Sequence, residues 1–342
     1  MSVDQRKIQL QDWLKVNLAT TQFSCEPASS DASFRRYFRV LVGNKSYVAM
    51  DAPPAQEDCQ PFVEIAQLLI AHSVQAPRIH FQDLNQGFLL LDDLGSKDYL
   101  DYLTADSADS MYCDAMDVLH KMHSADDCLL PAYDAELLNR EMSLFTEWFL
   151  GELLTIKLPS ADQATLLNCQ GILTQSALEQ PQVFVHRDFH SRNLMLTAEN
   201  NPAVIDFQDA VIGPITYDLV SLLRDCYISW PDTQVYTWLF QFLETRHKAG
   251  ADDNVSQQQF QQWFDYMGVQ RHMKVVGIFS RLYIRDNKPG YLKDIPRTMA
   301  YIQSIANKYD ELQPIASLVE KYNINETLDA VLKKIPVEKA IS

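Results

Sequence analysis

His186-Arg187-Asp188-Phe189-His190-Ser191-Arg192-Asn193 places an aspartate five residues ahead of an asparagine, and Ile205-Asp206-Phe207 follows further along the chain. Around these residues, Val183-Phe184-Val185, Leu194-Met195-Leu196 and Val204-Ile205 are short apolar runs that predict strands, the last two joined by an Asn200-Asn201-Pro202 turn. The polar residues therefore fall at strand ends, where side chains can converge on a ligand. Phosphoryl transfer asks a protein for metal ligands, groups that hold phosphates, and an acceptor for the nucleophile's proton. Two carboxylates and an amide can supply most of that. The competing reading is that Asp188, Asn193 and Asp206 only cap turns, as Asp and Asn often do.

Outward from this segment the chain reads as two regions. Toward the N-terminus, Ile8, Leu10, Trp13, Leu14 and Leu18 predict an amphipathic helix, and Phe34 to Val40 with Tyr47 to Met50 predict a hairpin turning at Gly43-Asn44. Pro53-Pro54 ends its second strand. A helical stripe follows at Phe62, Ile65, Ala66, Leu69 and Ile70, then a short apolar run at Phe88-Leu89-Leu90-Leu91. Beyond Leu94-Gly95 the pattern is mainly helical, with helices expected near 107–123, 135–150, 160–179, 216–228, 232–248 and 256–280.

The 342 residues exceed one average domain and suit two unequal lobes sharing a cleft. With 47% hydrophobic residues, including 16 Phe, 15 Tyr and 5 Trp, the chain can fill a sizeable core, which excludes a disordered protein. A formal charge of −16 argues against nucleic acid and against anionic membrane surfaces as partners. The same acidity suits either a cationic substrate or a protein that is simply kept soluble, so it does not select the substrate. Six scattered cysteines without a Cys-x-x-Cys pair predict free thiols. No signal peptide is visible, and no apolar run approaches the roughly eighteen residues of a membrane helix, so the expected location is cytoplasmic. His120 and His123 share a helix face, but no carboxylate triad accompanies them and a metal site is not expected there.

The order of Asp188, Asn193 and Asp206, with Gly213-Pro214-x-x-Tyr217-Asp218-Leu219 behind it, resembles the catalytic loop and metal-binding Asp of the protein-kinase superfamily. His190, where a protein kinase has Lys, resembles the aminoglycoside phosphotransferase-like branch. That resemblance implies an α+β, bilobal protein-kinase-like fold with a small β-rich N-lobe and a larger, mainly helical C-lobe. It implies a nucleotide-binding lobe at 1–93 and a catalytic and substrate-binding lobe at 94–342. Asp188 would orient the acceptor hydroxyl and take its proton, while Asn193 and Asp206 would bind Mg2+ bridging the phosphates of ATP. Leu89-Leu90-Leu91-Asp92-Asp93-Leu94-Gly95 resembles the strand and hinge that read adenine, which makes Asp92 and Leu94 cofactor-binding positions. His186 and Asp218 are expected to brace the loop.

The kinase pattern is also broken. Ten well-spread glycines form neither a Walker loop nor a Gly-x-Gly-x-x-Gly loop, and the second hairpin strand lacks the usual phosphate-holding Lys. Ser33 and Arg35, in the turn entering the first hairpin, are expected to cover the phosphates instead. Arg36 or Arg39 could equally replace the missing charge, although alternating faces forbid Arg35 and Arg36 from both pointing inward. Glu64, without a Lys partner, is expected on a solvated helix face.

Asp31 to Arg39, Met50-Asp51-Ala52-Pro53-Pro54, Arg140-Glu141 with Trp148-Phe149, and Gln270-Arg271-His272-x-Lys274-Val275-x-Gly277 sharpen the resemblance. Together they are similar to bacterial cell-wall amino-sugar kinases, which phosphorylate the anomeric hydroxyl of N-acetylmuramate and N-acetylglucosamine in peptidoglycan recycling. By that resemblance Trp148 and Phe149 would stack on the sugar. Arg271, His272, Lys274 or Arg281 would meet a lactyl carboxylate, and His190 is either a loop support or a ligand contact. Three other readings stay open: an aminoglycoside kinase, a choline- or homoserine-type kinase, and a nonenzymatic nucleotide-binding module. The oligomeric state is not legible.

Overall fold

The computed structural model describes residues 4–30, 34–125, 130–250 and 255–335. The chain falls into two compact units, Met1–Tyr102 with Arg192–Asp209, and Leu103–Ser191 with Ala210–Ser342. Residues 192–209 thus pack with the first unit, whereas a lobe division at residue 93 assigned them to the second.

In the first unit α1 (Gln5–Asn17) begins at Asp4, whose carboxylate accepts the Lys7 N–H, an ordinary N-cap. β1 (Ser24–Ser30), β2 (Arg36–Val42), β3 (Lys45–Asp51), α2 (Gln60–Ala71), β4 (Ile79–Asp83) and β5 (Phe88–Asp92) follow. The strands form one antiparallel sheet in the order β1-β2-β3-β5-β4. Alternation along β2 decides what each face does. Phe38 and Val40 join Ala49, Phe88 and Leu90 in a core with Leu10 and Leu14 of α1, leaving Tyr37 and Arg39 to the other face. Asp51, fully buried, accepts hydrogen bonds from Arg6 of α1 and Arg36 of β2, and Arg36 also reaches Asp4. Salt links therefore reinforce the apolar seam between α1 and the sheet. β1 was not expected from its sequence, because Ser24-Cys25-Glu26-Pro27-Ala28 carries neither apolar alternation nor β-branched residues. It persists as an edge strand with an irregularity after Pro27, where a proline is tolerated. Gly87 is required by space as well as by its φ of 72°: a Cβ there would stand 1.8 Å from the Ala52 carbonyl oxygen.

The second unit opens with α3 (Ala108–His123) and α4 (Ala135–Leu144). α4 runs directly into a π-helix at Phe145–Leu153, where a plain helix to about 150 was expected. α5 (Ser160–Leu178) and β6 (Gln182–Val185) follow. The chain then passes to the first unit as the hairpin β7 (Leu194–Met195) and β8 (Ala203–Val204), paired as expected. That hairpin is held there by Tyr99 N–H to the Leu194 carbonyl at 2.8 Å and by Val204 N–H to the Gln75 carbonyl at 2.8 Å. Phe62 and Phe207 pack with ring centroids 4.8 Å apart.

Back in the second unit, β9 (Val211–Pro214) pairs antiparallel with β6. α6 (Tyr217–Leu223), α7 (Asp232–Lys248) and α8 (Gln257–Ile284) come next, and a 3-10 turn at Pro289–Asp294 leads to α9 (Ile295–Lys308), α10 (Gln313–Lys321) and α11 (Ile324–Leu332). α8 is the axis of this unit: Trp263 to Gly277 are all buried, as befits a helix packed on every side. Its register depends on Gly277, where an added Cβ would lie 2.4 Å from the carbonyl carbon of Leu144. Among the described residues no helix is long and apolar enough to cross a membrane. Because backbone cannot move aside as a side-chain tip can, Gly277→Ala should destabilise the protein by about 1–3 kcal/mol. Chemical denaturation would show this as a lower midpoint, and an unchanged midpoint would mean that α4 and α8 can separate without loss.

Candidate active site

β6 delivers the chain to His186, and from there the loop is held by its backbone. Asp218, at the first turn of α6 and fully buried, accepts the N–H of His186 at 2.6 Å and of Arg187 at 3.1 Å. Asp225, just beyond α6, accepts the Ser191 N–H at 2.9 Å and its hydroxyl at 2.6 Å. His186 is buried, and its Nδ1 accepts the Asp188 N–H at 3.2 Å, so the ring acts as a brace, as expected. Phe189 is buried against His186 in an edge contact. Arg187 takes a φ of 76°, a conformation that L-residues rarely adopt, and its guanidinium is paired with Glu141. These anchors on both sides of Asp188 define its position.

Burial by itself would raise the Asp188 carboxyl, but the fields of Lys274, His190, Arg271 and His186 outweigh it and hold the group down at about 2. Asp218 behaves oppositely. Its burial dominates, the neighbouring Asp188 charge adds to it, and together they push it up to about 7 against the two N–H groups and Arg271. Lys274 donates to the Tyr217 hydroxyl at 2.9 Å and lies 3.1 Å from Glu141, which also accepts from the Tyr133 hydroxyl. A buried cluster of Glu141, Arg187 and Lys274 thus ties α4, the loop and α8 together.

In the first unit, the face of the sheet opposite α1 bounds a cavity of about 400 Å³. Tyr37, Arg39 and Val48 line it from the sheet, Leu91 to Ser96 from the end of β5, and Asn193, Met195, Ile205 and Asp206 from the β7–β8 hairpin. Val48, Leu91, Met195 and Ile205 give it apolar walls that suit a flat aromatic ring. Leu94, at its rim, makes no backbone hydrogen bond among the described residues. The Ile205 N–H donates to the Asn193 carbonyl at 3.1 Å, which sets Asn193 and Asp206 side by side at the open end of the hairpin. Their amide and carboxylate oxygens are hard donors of the kind Mg2+ takes, an ion usually held by few protein ligands alongside waters and phosphate oxygens.

Several expected residues land elsewhere or do other work. Ser33 lies outside the described residues. Asp92 accepts from the Arg78 N–H at 3.3 Å, pairs with His80 at 2.7 Å and donates its own N–H to the Arg78 carbonyl at 3.0 Å, so its side chain and backbone donor are both occupied although the residue lines the cavity. Arg39 is clamped on Asp93 at 2.7 Å, and Arg36 is turned toward Asp51. Arg35 continues the parity of Tyr37 and Arg39, is 3.8 Å from Glu57, and has Asp206 and Asp209 in its field. Glu64 is exposed and bonded to Gln60, as expected. His190 packs edge-on against Tyr227 with centroids 5.3 Å apart. His272 is buried, its Nε2 is 2.9 Å from the Arg224 carbonyl, and its ring stacks on Tyr301; like Lys274, it is engaged inside the helical core, so neither is an open acceptor contact. Trp148 is half-buried on the π-helix. His120 and His123 pack on Phe242 at 4.1 and 5.8 Å, and burial holds them down to about 4 and about 3. Asp225 was missed because an acidic residue after an apolar helix carries no signal that it will meet Ser191.

A family model described as the phosphotransferase enzyme family matches residues 24–251. The chain is 48% identical over 297 residues to an N-acetylmuramate/N-acetylglucosamine kinase of Pseudomonas putida, covering 86% of this chain and 87% of that protein. It is 39% identical over 335 residues to a protein of the same name from Neisseria meningitidis, covering 95% and 98%. Among solved structures, the choline kinase LicA of Streptococcus pneumoniae superposes with a TM-score of 0.61 at 11% identity, covering 87% of this chain and 99% of the other. The GDP complex of aminoglycoside 2'-phosphotransferase-IIIa gives 0.60 at 13% identity, covering 89% and 100%; both likenesses concern the fold, which is protein-kinase-like. Matched over most of its length by the family model, and carrying Asp188 on a loop held at both ends, the chain belongs to the phosphotransferase enzyme family.

Proposed function

We propose that this enzyme transfers the γ-phosphoryl group of ATP to the anomeric hydroxyl of N-acetylmuramate and N-acetylglucosamine, giving the sugar 1-phosphates in the cytoplasm. The observation that carries the reading is the 48% identity, over most of both chains, to proteins named for those two sugars. The loop geometry supports it independently. Asp188, held by the braced backbone around it, accepts a hydrogen bond from the acceptor hydroxyl and aligns that oxygen for attack. A carboxylate at about 2 is a feeble base, so it takes the proton as the new bond to phosphorus forms and the hydroxyl becomes acidic. An anomeric hydroxyl, more acidic than an ordinary alcohol, suits such a base.

The first unit takes the nucleotide, with the apolar cavity walls for the base, the backbone of Leu94 for its edge, and Arg35 for the phosphates. Asn193 and Asp206 are the residues that would hold Mg2+, which neutralises phosphate charge when bound. Within the second unit, Asp218 and Asp225 brace the loop that carries Asp188.

Consumption of ATP by the purified protein should occur with N-acetylmuramate and N-acetylglucosamine and not with kanamycin or choline; turnover with an antibiotic alone would overturn the acceptor assignment. Asp188→Asn should lower kcat by about 100- to 10,000-fold while ATP still binds by titration calorimetry, and near-parental turnover would remove Asp188 from the base position. Asp188 stays ionised far below neutrality, whereas Asp218 takes up a proton as pH falls through about 7. At saturating ATP the acid limb of kcat/KM should therefore lie near 7 and report the loop brace. A profile flat to pH 5 would show that Asp218 stays ionised.

A further inference from the structure

Strand register in the first unit carries one guanidinium across the wall of the cavity. Arg39 of β2 pairs with Val48 of β3, and Val48 pairs with Leu91 of β5, so the three share a row of the sheet, and all of them line the cavity. From that row Arg39 reaches the turn that follows β5. Its Nε donates to Asp93 Oδ2 at 2.7 Å, and its Nη2 donates to Asp93 Oδ1 at 3.0 Å and to the Gly95 carbonyl at 3.0 Å. The same carboxylate accepts the Gly95 N–H at 3.0 Å, which closes an Asx turn, and the Ser46 hydroxyl from the start of β3. Gly95 takes a φ of 89°, which glycine adopts without the penalty that a Cβ would bring.

Leu94 therefore stands between two fixed neighbours, and its own N–H and C=O make no backbone hydrogen bond among the described residues. It lines the cavity together with the apolar side chains of Val48, Leu91, Met195 and Ile205. One peptide donor and one peptide acceptor match the edge of an adenine base, which offers an amino donor beside a ring-nitrogen acceptor. A loose turn would lose backbone freedom on meeting that edge, whereas a clamped one has lost it already in folding. The clamp is ionic. Burial by itself would raise the Asp93 carboxyl, but the bonds from Arg39, Ser46 and the Gly95 N–H hold it below its ordinary range. A guanidinium fork can grip a carboxylate side-on and still reach the Gly95 carbonyl, which an ammonium cannot do with the same geometry. That pairing also neutralises Arg39, whose charge is spent on the turn.

We propose that Arg39 and Asp93 are positioning residues of the nucleotide site, a clamp that fixes Leu94 in the conformation that reads the base. Arg39 thus serves the adenine end of the nucleotide and not its phosphates. The assignment rests on the reading that the first unit takes ATP, and it names what makes the base-reading turn rigid.

Binding of adenosine and of ATP, followed by titration calorimetry on the full chain, tests this with Arg39→Met, Asp93→Ala, the double variant and the milder Arg39→Lys. Each of the two single truncations should weaken adenosine about 5- to 30-fold, and Arg39→Met should weaken ATP by the same factor as adenosine. Because both truncations break one clamp, the double variant should lose no more than about threefold beyond the weaker-binding single. Arg39→Lys, which keeps charge and stem without the fork, should fall between parent and Arg39→Met. At saturating ATP the kcat of each variant should stay within about threefold of the parent, a separation from KM that general unfolding would not give. Loss on ATP with none on adenosine in Arg39→Met would make Arg39 a phosphate contact and overturn the clamp. Additive losses in the double variant, or unchanged adenosine binding in both single truncations, would overturn it too, and all three results would leave the nucleotide site standing. A parent protein that binds neither adenosine nor ATP would overturn both.

Discussion

Everything at the Asp188 loop depends on two buried carboxylates gripping its backbone. Asp218 accepts two successive N–H groups and Asp225 accepts the N–H and hydroxyl of Ser191. Hydrogen bonds to charged acceptors contribute about 1.5–3 kcal/mol each, enough to hold Arg187 in a left-handed conformation and to fix the direction of Asp188. For Asp218 burial is so complete that its carboxyl is pushed up to about 7. Burying a carboxylate is unfavourable, and the orphan amides of a sharp loop are what offset it.

The positive side of this balance comes from α8. Lys274 and Arg271 sit one turn apart, buried, and their charge keeps Asp188 ionised. Lys274 is matched by Glu141, which also holds Arg187, so one cluster both anchors the loop and supplies its field. Removing any single member would strand a buried charge, which costs about 3–5 kcal/mol in comparable clusters. The close approach of α4 to α8 at Gly277 belongs to the same design, since it lets Glu141 reach Lys274.

Tyr47-Val48-Ala49-Met50 in the second strand of the first hairpin carries no lysine, and the cavity in the first unit is lined by Arg39 instead. Strand alternation distributes three arginines that are close in sequence. Arg36 serves the α1 side with Asp51, Arg39 is clamped by Asp93 at the cavity wall, and Arg35 lies 3.8 Å from Glu57 with Asp206 and Asp209 in its field. Arg35 belongs to an acidic environment that a bound nucleotide and its metal would change.

The primary sequence makes the Asp188 loop, the first hairpin, the β7–β8 pair and most helices up to α8 legible, because each rests on local spacing and turn chemistry that neighbours in the chain impose. It also determined that Arg35 and Arg36 must part, since a strand alternates. Long-range packing alone settles what the buried polar residues do. Asp225, Glu141 and Lys274 carry no local sign of their partners, which lie tens of residues away, and His272 and Lys274 read as acceptor contacts until the packing of α8 enclosed them. β1 escaped for a related reason, since an edge strand persists on pairing with β2, and the π-helix at Phe145–Leu153 carries no local sign either. Local sequence sets which groups can do chemistry, while burial and long-range pairing decide which of them are spent on holding the loop and which remain for the substrate.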